Sequence, residues 1–524
     1  MNLAKHIIDQ IALHNNPEQV CFRESKISGD QVVSNSLTLA SSLQQLNFMP
    51  DQRVLLLMKD HPSFIYTFIS LMAIGCIPIP LNPKIEENVL HNILHDSRAT
   101  GVIIDSNECG RLEHVLLCSP YLNHEKYIVQ DIYEEGISCT QGNCISRLLA
   151  AEQIPGGDFM YYDKKPVSPA FWQYTSGTTG MPKAVQHSQE AMLVNTSKFA
   201  IGTLGINKAD RIISVPKMFF GYGLGNSFFF PLLTGASVLL DTEWPAIDRL
   251  AQNIERFRPT ILFGVAKTYS QFLQNKTRFS DTDMSGIKLF FSAGSNLPCG
   301  INNEWMAWQG RHIVNGIGST EIGHVFICNK PQGVVPDVSG WPVSGYQIRI
   351  SDPADHQKDV PVGMPGELCI QAPYCLGKYW ENNTSNDEHF TQNWYHSGDL
   401  CSKTPGGGYV FLGRKDDLFK INGRWVNPVE VETVVLQLFE IDECALIEVE
   451  DENGLGAAVL FIVKRNDRHV DEDDVRKMLP LHLNSYKCPK EIYLLDQLPK
   501  NANGKVNRTN IRRLYNTRFR QSVQ

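Results

Sequence analysis

Apolar positions at the start of the chain recur at helical spacing, Leu3, Ile7, Ile8, Ile11 and Leu13, interrupted by Lys5, His6 and Asp9. This pattern predicts an amphipathic surface helix over residues 1–16, because a secretory leader needs an unbroken apolar core. The most membrane-like stretch, Phe64 to Leu81, carries Gly75, Pro78 and Pro80. Those residues suit a buried helix turning into a strand better than a membrane span. From Leu3 to about Ala150, helical patterns alternate with β-rich runs such as Arg53–Leu57 and Gly101–Ile104. Such alternation predicts helices packed on a mainly parallel sheet. A broken polar connector, Gln153 to Pro169, leads into a short apolar run, Phe171–Tyr174, that reads as the end of a buried strand. Ser188 is placed to cap a helix running from Gln189. A second α/β unit follows, with strands expected at Arg211–Val215, Ser237–Leu240, Thr260–Phe263 and Lys288–Ser292.

From about Asp337 the texture changes to short β segments with glycine and proline turns, which predicts a small β-barrel subdomain. Past Gly413 it becomes a compact α+β pattern. The expected fold class is therefore α/β. A large N-terminal domain of α/β subdomains plus a small β-barrel spans residues 1–413, and a small mobile α+β domain spans 414–524.

Composition narrows the function classes. At 524 residues the chain exceeds one core, and 20% charged with 42% hydrophobic residues is ordinary for a globular protein. A formal net charge of −8 argues against a nucleic-acid binder. None of the 13 cysteines are spaced Cys-x-x-Cys, so neither a disulfide framework nor a zinc site is suggested, and a reducing cytoplasm is expected. No membrane partner is expected, and a homodimer is left open.

The stretch Thr175-Ser176-Gly177-Thr178-Thr179-Gly180-Met181-Pro182-Lys183 alternates hydroxyls and glycines before a lysine. Glycines let backbone N–H groups approach an anion, hydroxyls add donors, and Lys183 adds a positive charge, so the loop suits a polyphosphate. It is not the Walker A pattern, because no Ser or Thr follows the lysine. The stretch resembles the phosphate loop of the adenylate-forming superfamily, which holds acyl- and aryl-CoA ligases, peptide-synthetase adenylation domains and luciferases.

Further motifs extend the resemblance. In Gly316-Ile317-Gly318-Ser319-Thr320-Glu321, the family pattern implies that Thr320 contacts the α-phosphate and Glu321 holds magnesium. A carboxylate beside a nucleotide is repulsive unless a cation sits between them. Ile317 departs from the family, where a tyrosine often stacks on adenine. By the same resemblance Asp399, in Tyr395-His396-Ser397-Gly398-Asp399, binds the ribose hydroxyls, Arg414 reaches the nucleotide, and Asp416 is the hinge. Lys505, in a glycine turn near the end, corresponds to the lysine of the first half-reaction, and Lys420 to that of the second. Gly423 falls in the loop that would line the pantetheine tunnel. The arginines from Arg508 to Arg520 read as a solvated helix face.

The acyl pocket is expected from Phe220, Gly221 and Tyr222, with Ala293 and Gly294 opposite and His324 and Val325 near the acyl end. Peptide-synthetase domains usually place an aspartate here for an α-amino group, and this chain has none, so a flat apolar acid fits better. The segments 217–226, 316–326 and 416–426 resemble aryl-CoA ligases of the benzoate group, and within it the anthranilate–CoA ligases of alkylquinolone biosynthesis. That likeness implies ATP, Mg2+ and coenzyme A, a small aromatic carboxylic acid such as anthranilate or benzoate, and an aryl-adenylate intermediate. Loading of a carrier-protein phosphopantetheine, a medium-chain acyl substrate, and a non-catalytic adenylate-binding protein are the alternatives.

Overall fold

Leucine- and valine-rich runs become strands covered on both faces, as parallel sheets require. Val54 to Leu57 are fully buried in a five-stranded parallel sheet ordered Ile77–Pro80, Arg53–Leu57, Gly101–Asp105, Tyr127–Gln130, Asn143–Cys144. Pro78 and Pro80 lack N–H groups, and their strand takes the edge of that sheet. The computed structural model describes residues 1–131, 143–150, 159–175, 182–244, 246–280, 282–353, 355–436, 438, 440–450, 456–465, 471–500 and 506–519.

The segment from Phe64 is the expected buried helix, Pro62–Ala73, followed by the strand Ile77–Pro80. Among the described residues no helix is long and apolar enough to cross a membrane. The N-terminal helix is Leu3–His14, with Leu3, Ile7, Ile8 and Ile11 buried and Leu13 exposed.

A nine-stranded sheet forms the second α/β unit, with parallel strands at its centre and antiparallel pairs toward both edges. Arg211–Ser214 lies between Ser237–Leu240 on one side and Ile261–Gly264, Leu289–Ser292 and Ile313–Gly318 on the other. The chain thus steps one way from Arg211–Ser214 and then crosses back. Open α/β sheets bind ligands outside the carboxyl ends of their strands at such a reversal. A six-stranded antiparallel sheet, residues 347–414, follows where the small β subdomain is expected.

Beyond it, Ile441–Glu450, Gly456–Lys464 and Glu491–Leu494 form a three-stranded sheet with helices Pro428–Val435, Glu472–His482 and Arg508–Leu514. Two hydrophobic clusters fill this part, and both draw on residues from Phe419 onward.

Two local expectations fail. Ser188 does not cap a helix: it ends the strand Lys183–Ser188, paired with Pro169, and its buried hydroxyl has no partner among the described residues. The helix starts at Ala191, after a Glu190 cap whose side chain makes no capping bond to the helix and accepts instead from Cys375 N–H at 3.4 Å. Hairpin pairing holds Ser188 extended and decides the matter. Arg508 is not solvated either. Its guanidinium grips both oxygens of Glu432 at 2.7 and 3.0 Å and is only 14% exposed, fixing the last helix to Pro428–Val435.

Candidate active site

The hairpin Pro169–Thr175 and Lys183–Ser188 pairs Thr175 with Lys183, so the two ends of the phosphate-loop sequence lie side by side. Ser176, Gly177, Thr178, Thr179 and Gly180 lie outside the described residues. The Lys183 ammonium sits 5.2 Å over the ring of Tyr379. The Tyr379 hydroxyl donates to Glu321 Oε1 at 2.7 Å. Tyr379 therefore joins two residues that the motifs assign to the phosphates and to magnesium.

Sequence reasoning missed Tyr379, and its placement is a matter of long-range packing. A Cβ on Gly377 would fall 1.5 Å from the Gln186 carbonyl oxygen, so only glycine lets this segment press against the hairpin. Tyr379 bridges Val185, and Trp380 N–H donates to the Ala184 carbonyl at 2.9 Å. The one hint in the sequence is a glycine two residues before an aromatic pair.

Thr320 and Glu321 lie in a turn between the antiparallel strands Ile313–Gly318 and Val325–Cys328. The turn is closed by Gly323 N–H donating to the Thr320 carbonyl at 2.9 Å and by Ile322 N–H donating to Ser319 Oγ at 3.3 Å. Glu321 is 8% exposed. A buried carboxylate held by one phenol is a hard oxygen donor, which fits a magnesium ion completed by phosphate oxygens and water.

Asp399 and Arg414 face each other on adjacent strands, with Nη1 donating to Oδ1 at 2.7 Å and to the Ser397 carbonyl at 3.1 Å. Burial disfavours the Arg414 charge, but the carboxylates of Asp399, which also accepts its hydrogen bond, and Glu321 outweigh it and hold the guanidinium protonated. Tyr395 is itself buried, and burial with the nearby Glu321 and Tyr379 pushes its phenol far above the usual range. Lys183, Tyr379, Glu321, Tyr395, Arg414 and Asp399 thus form one connected group.

The acyl side gathers at the strand ends. Phe220 precedes the short helix Gly221–Leu224, its ring 4.4 Å from that of Phe219. The Tyr222 hydroxyl lies 3.2 Å from the Gly264 carbonyl and 3.4 Å from that of Phe291, spanning two neighbouring strand ends. Ala293, just beyond Phe291, is buried, while Gly294 is exposed with open space around it. Val325 is buried and would meet a Cβ on Gly316 at 2.9 Å.

His324 packs among Phe199, Tyr222 and Phe230, with ring centroids 5.2, 5.5 and 4.7 Å away. A Cβ on Gly225 would lie 2.3 Å from its Cδ2, so this close seat also needs glycine. His324 Nε2 is 3.3 Å from the Tyr222 carbonyl, which can only accept, so Nε2 carries the proton. Nδ1 is then a buried acceptor with no partner among the described residues. Burial pulls the imidazole down to about 3, so it is neutral at physiological pH.

Gly221 adjoins a residue the sequence reading left in the strand. A Cβ there would lie 3.0 Å from Gln173 Oε1, and the buried Gln173 Nε2 has no partner among the described residues. The signal was one polar position inside Phe171-Trp172-Gln173-Tyr174.

Among the described residues, Lys420, Gly423 and Asp416 are not part of this group. Lys420 and Gly423 sit on an exposed hairpin, Phe419–Ile421 with Arg424–Val426, and the Lys420 ammonium lies 4.5 Å over Trp425. Asp416 is exposed in the one-turn helix Lys415–Asp417. Lys505 lies outside the described residues, between Lys500 and Val506, which form an antiparallel bridge.

Comparison with known proteins follows the same lines. The profile of the AMP-binding enzyme matches residues 4–380, and that of the AMP-binding enzyme C-terminal domain matches residues 430–505. The chain is 34% identical to an anthranilate–CoA ligase of Pseudomonas aeruginosa, covering 96% of this chain and 94% of that one. It is 32% identical to a 4-hydroxybenzoate–CoA/benzoate–CoA ligase of Rhodopseudomonas palustris, over 90% and 86%. Among solved structures, the anthranilate CoA ligase AuaEII in complex with anthranoyl-AMP superposes with a TM-score of 0.91 at 26% identity, covering 98% and 97%. A benzoate CoA ligase from Burkholderia xenovorans superposes with a TM-score of 0.87 at 28% identity, covering 98% and 100%.

Proposed function

The chain belongs to the AMP-binding enzyme family, and on that premise we propose that it is an ATP-dependent aryl-acid–CoA ligase. It activates anthranilate or a closely related benzoate through an aryl-adenylate. The observation that carries this reading is the connected group from Lys183 to Asp399 standing beside an aromatic pocket whose polar atoms are uncharged. An α-ammonium placed against neutral His324 and the Gln173 amide would be buried without a counter-charge, which is costly. The ortho-amine of anthranilate can instead donate to its own carboxylate. The relatives named above act on anthranilate and benzoate, and the AuaEII structure holds anthranoyl-AMP.

In the first half-reaction the aryl carboxylate attacks the α-phosphorus of ATP, and pyrophosphate leaves. The loop from Thr175 to Lys183 binds the leaving phosphates, Thr320 contacts the α-phosphate, and Asp399 with Arg414 orients the ribose. Glu321, held by Tyr379, would hold magnesium, which neutralises phosphate charge and so lets an anionic nucleophile approach. Lys505 supplies positive charge where it develops on the pentavalent phosphorus. In the second half-reaction the CoA thiol attacks the mixed anhydride and AMP leaves, with Lys420 and Gly423 brought up by rotation about Asp416. We place the domain boundary at 413/414, supported by the separate hydrophobic clusters that begin at Phe419.

The test is pyrophosphate release with anthranilate, benzoate, hydroxybenzoates and octanoate, with and without CoA, and with a phosphopantetheinylated carrier protein as the alternative thiol. Release should depend on an aryl acid, and AMP turnover should rise with free CoA. An apolar pocket separates such near-isosteres by only about 10–200-fold, so several benzoates should react. Octanoate as the best acid, or release independent of acid, would overturn the reading.

A further inference from the structure

The six-stranded antiparallel sheet carries a cluster that the ligase reaction does not use. Glu367 and Cys369 are two residues apart on Gly366–Gln371 and so point to the same face. His396, on Trp394–Lys403, is the direct cross-strand partner of Cys369. His356, on Asp355–Asp359, completes the group, its ring centroid 4.7 Å from that of His396. One ligand atom from each of His356, Glu367 and His396 lies within 4.8 Å of the others.

We propose that His356, Glu367 and His396, with water completing the shell, form a binding site for a zinc-class divalent cation beside the inter-domain turn. With metal–nitrogen and metal–oxygen bonds near 2.0–2.1 Å and metal–sulfur near 2.3 Å, tetrahedral ligands stand about 3.3–3.6 Å apart. His356 Nδ1 is 3.4 Å from Glu367 Oε2, close to one edge of such a tetrahedron, and a His396 nitrogen lies within 4.8 Å of both. Ligating imidazoles fix their ring by donating from the second nitrogen, and His396 Nε2 lies 2.6 Å from Thr391 Oγ1. Two imidazoles and one carboxylate select a borderline ion such as Zn2+ over Mg2+ or Ca2+.

The site has a built-in competitor. Lys415 Nζ is 3.2 Å from Glu367 Oε2, the oxygen nearest His356, while Glu367 Oε1 accepts from Gly398 N–H at 3.2 Å. A bound cation takes the place of the Lys415 charge beside Glu367. Lys415 precedes Asp416, so occupancy frees the first residue of the turn between the two parts of the chain.

The experiment is titration of the untagged full-length protein with Co2+, followed by visible and near-ultraviolet absorption in excess Mg2+. A tetrahedral cobalt spectrum saturating at one equivalent per chain is expected. His356→Ala, whose side chain is 44% exposed and whose loss leaves the core intact, should weaken binding about 10–100-fold. Lys415→Met, which removes the competing charge beside Glu367, should tighten binding. Absence of a tetrahedral spectrum at stoichiometric cobalt would overturn the proposal. So would a spectrum that His356→Ala leaves unchanged.

Discussion

The group around Glu321 and Asp399 and the outer face of the C-terminal part, whose inner Arg508–Glu432 pair is itself buried, hold their charged residues in opposite ways. Glu321 and Asp399 are each 8% exposed, and each is tied to a group from a separate strand or segment, Tyr379 and Arg414. On the other side Lys420 rests on Trp425, which is 58% exposed, and Glu443 is shared by Lys267 at 2.5 Å and Lys500 at 2.7 Å. Buried, fully partnered charges cannot move without a large desolvation cost, whereas exposed pairs contribute about 0–1 kcal/mol and exchange freely. The nucleotide side is thus preorganised, and the C-terminal side is built to let go. Two half-reactions sharing one pocket need that division.

The largest test of the contrast is Lys505→Ala. Acid-dependent pyrophosphate release should fall about 10²–10³-fold, the loss typical of removing one group aimed at developing charge. Thioesterification of supplied aryl-adenylate should fall far less. Equal losses would mean that the two sides do not divide the chemistry.

Tyr379→Phe sharpens the preorganised half. Phenylalanine keeps the ring under Lys183 but removes the hydroxyl that donates to Glu321. Leaving a buried carboxylate short of a donor costs about 1–3 kcal/mol, or about 5–150-fold. The loss should appear in kcat/KM for Mg-ATP with the KM for the aryl acid unchanged. A rise confined to the acid KM would place Tyr379 in the wrong half.

That Tyr379 had to be found in the structure shows where sequence reading stops. The parallel strands, the buried helix Pro62–Ala73 and the change of texture near residue 413 were legible, because each rests on local apolar period and turn residues. Thr175, Lys183, Glu321, Asp399 and Arg414 could be named as candidates because each stands in a contiguous motif, whereas the pairing of Asp399 with Arg414 across adjacent strands emerges only in the structure. Tyr379, Gln173 and the seat of His324 were not, because each depends on a close backbone or side-chain approach between distant segments, marked only by Gly377, Gly221 and Gly225. Ser188 misled because its strand pairing outweighed a local capping signal.

The same burial gives a pH prediction for the packed half. Burial pulls His324 and His187 down to about 3, so both are neutral in the folded protein. In the unfolded chain each takes up a proton below about pH 6.5. Their contribution to stability is therefore complete above pH 6.5 and declines as the pH falls from there toward 3, by at most about 1.4 kcal/mol per unit for each histidine. The melting temperature should drop from pH 7 to pH 5, and His324→Gln should flatten part of that slope. An identical slope in the variant would mean that His324 takes up its proton without unfolding.

The smallest effect belongs to the clasp on Glu443. Burial pushes this carboxyl up, but Lys267 and Lys500 outweigh it and hold it below the usual range. Lys267 opens the helix Ala266–Gln274, just past the strand whose Gly264 carbonyl meets Tyr222, and Lys500 opens the bridge to Val506 that brackets Lys505. The clasp therefore ties Lys500 and the strand Ile441–Glu450 to the pocket side, assisted by Gln274 Nε2 donating to Asp442 at 2.8 Å. Glu443→Gln keeps the shape and removes the charge, so adenylate formation should fall by about 0.2–1 kcal/mol, a few-fold, with thioesterification unchanged or raised. Because both lysines are substantially exposed, added salt should lower adenylation relative to thioesterification in the wild type and do so less in the variant. If salt moved both enzymes alike, the clasp would be only a surface contact, and the looseness of this side would have to come from the turn at Asp416 instead.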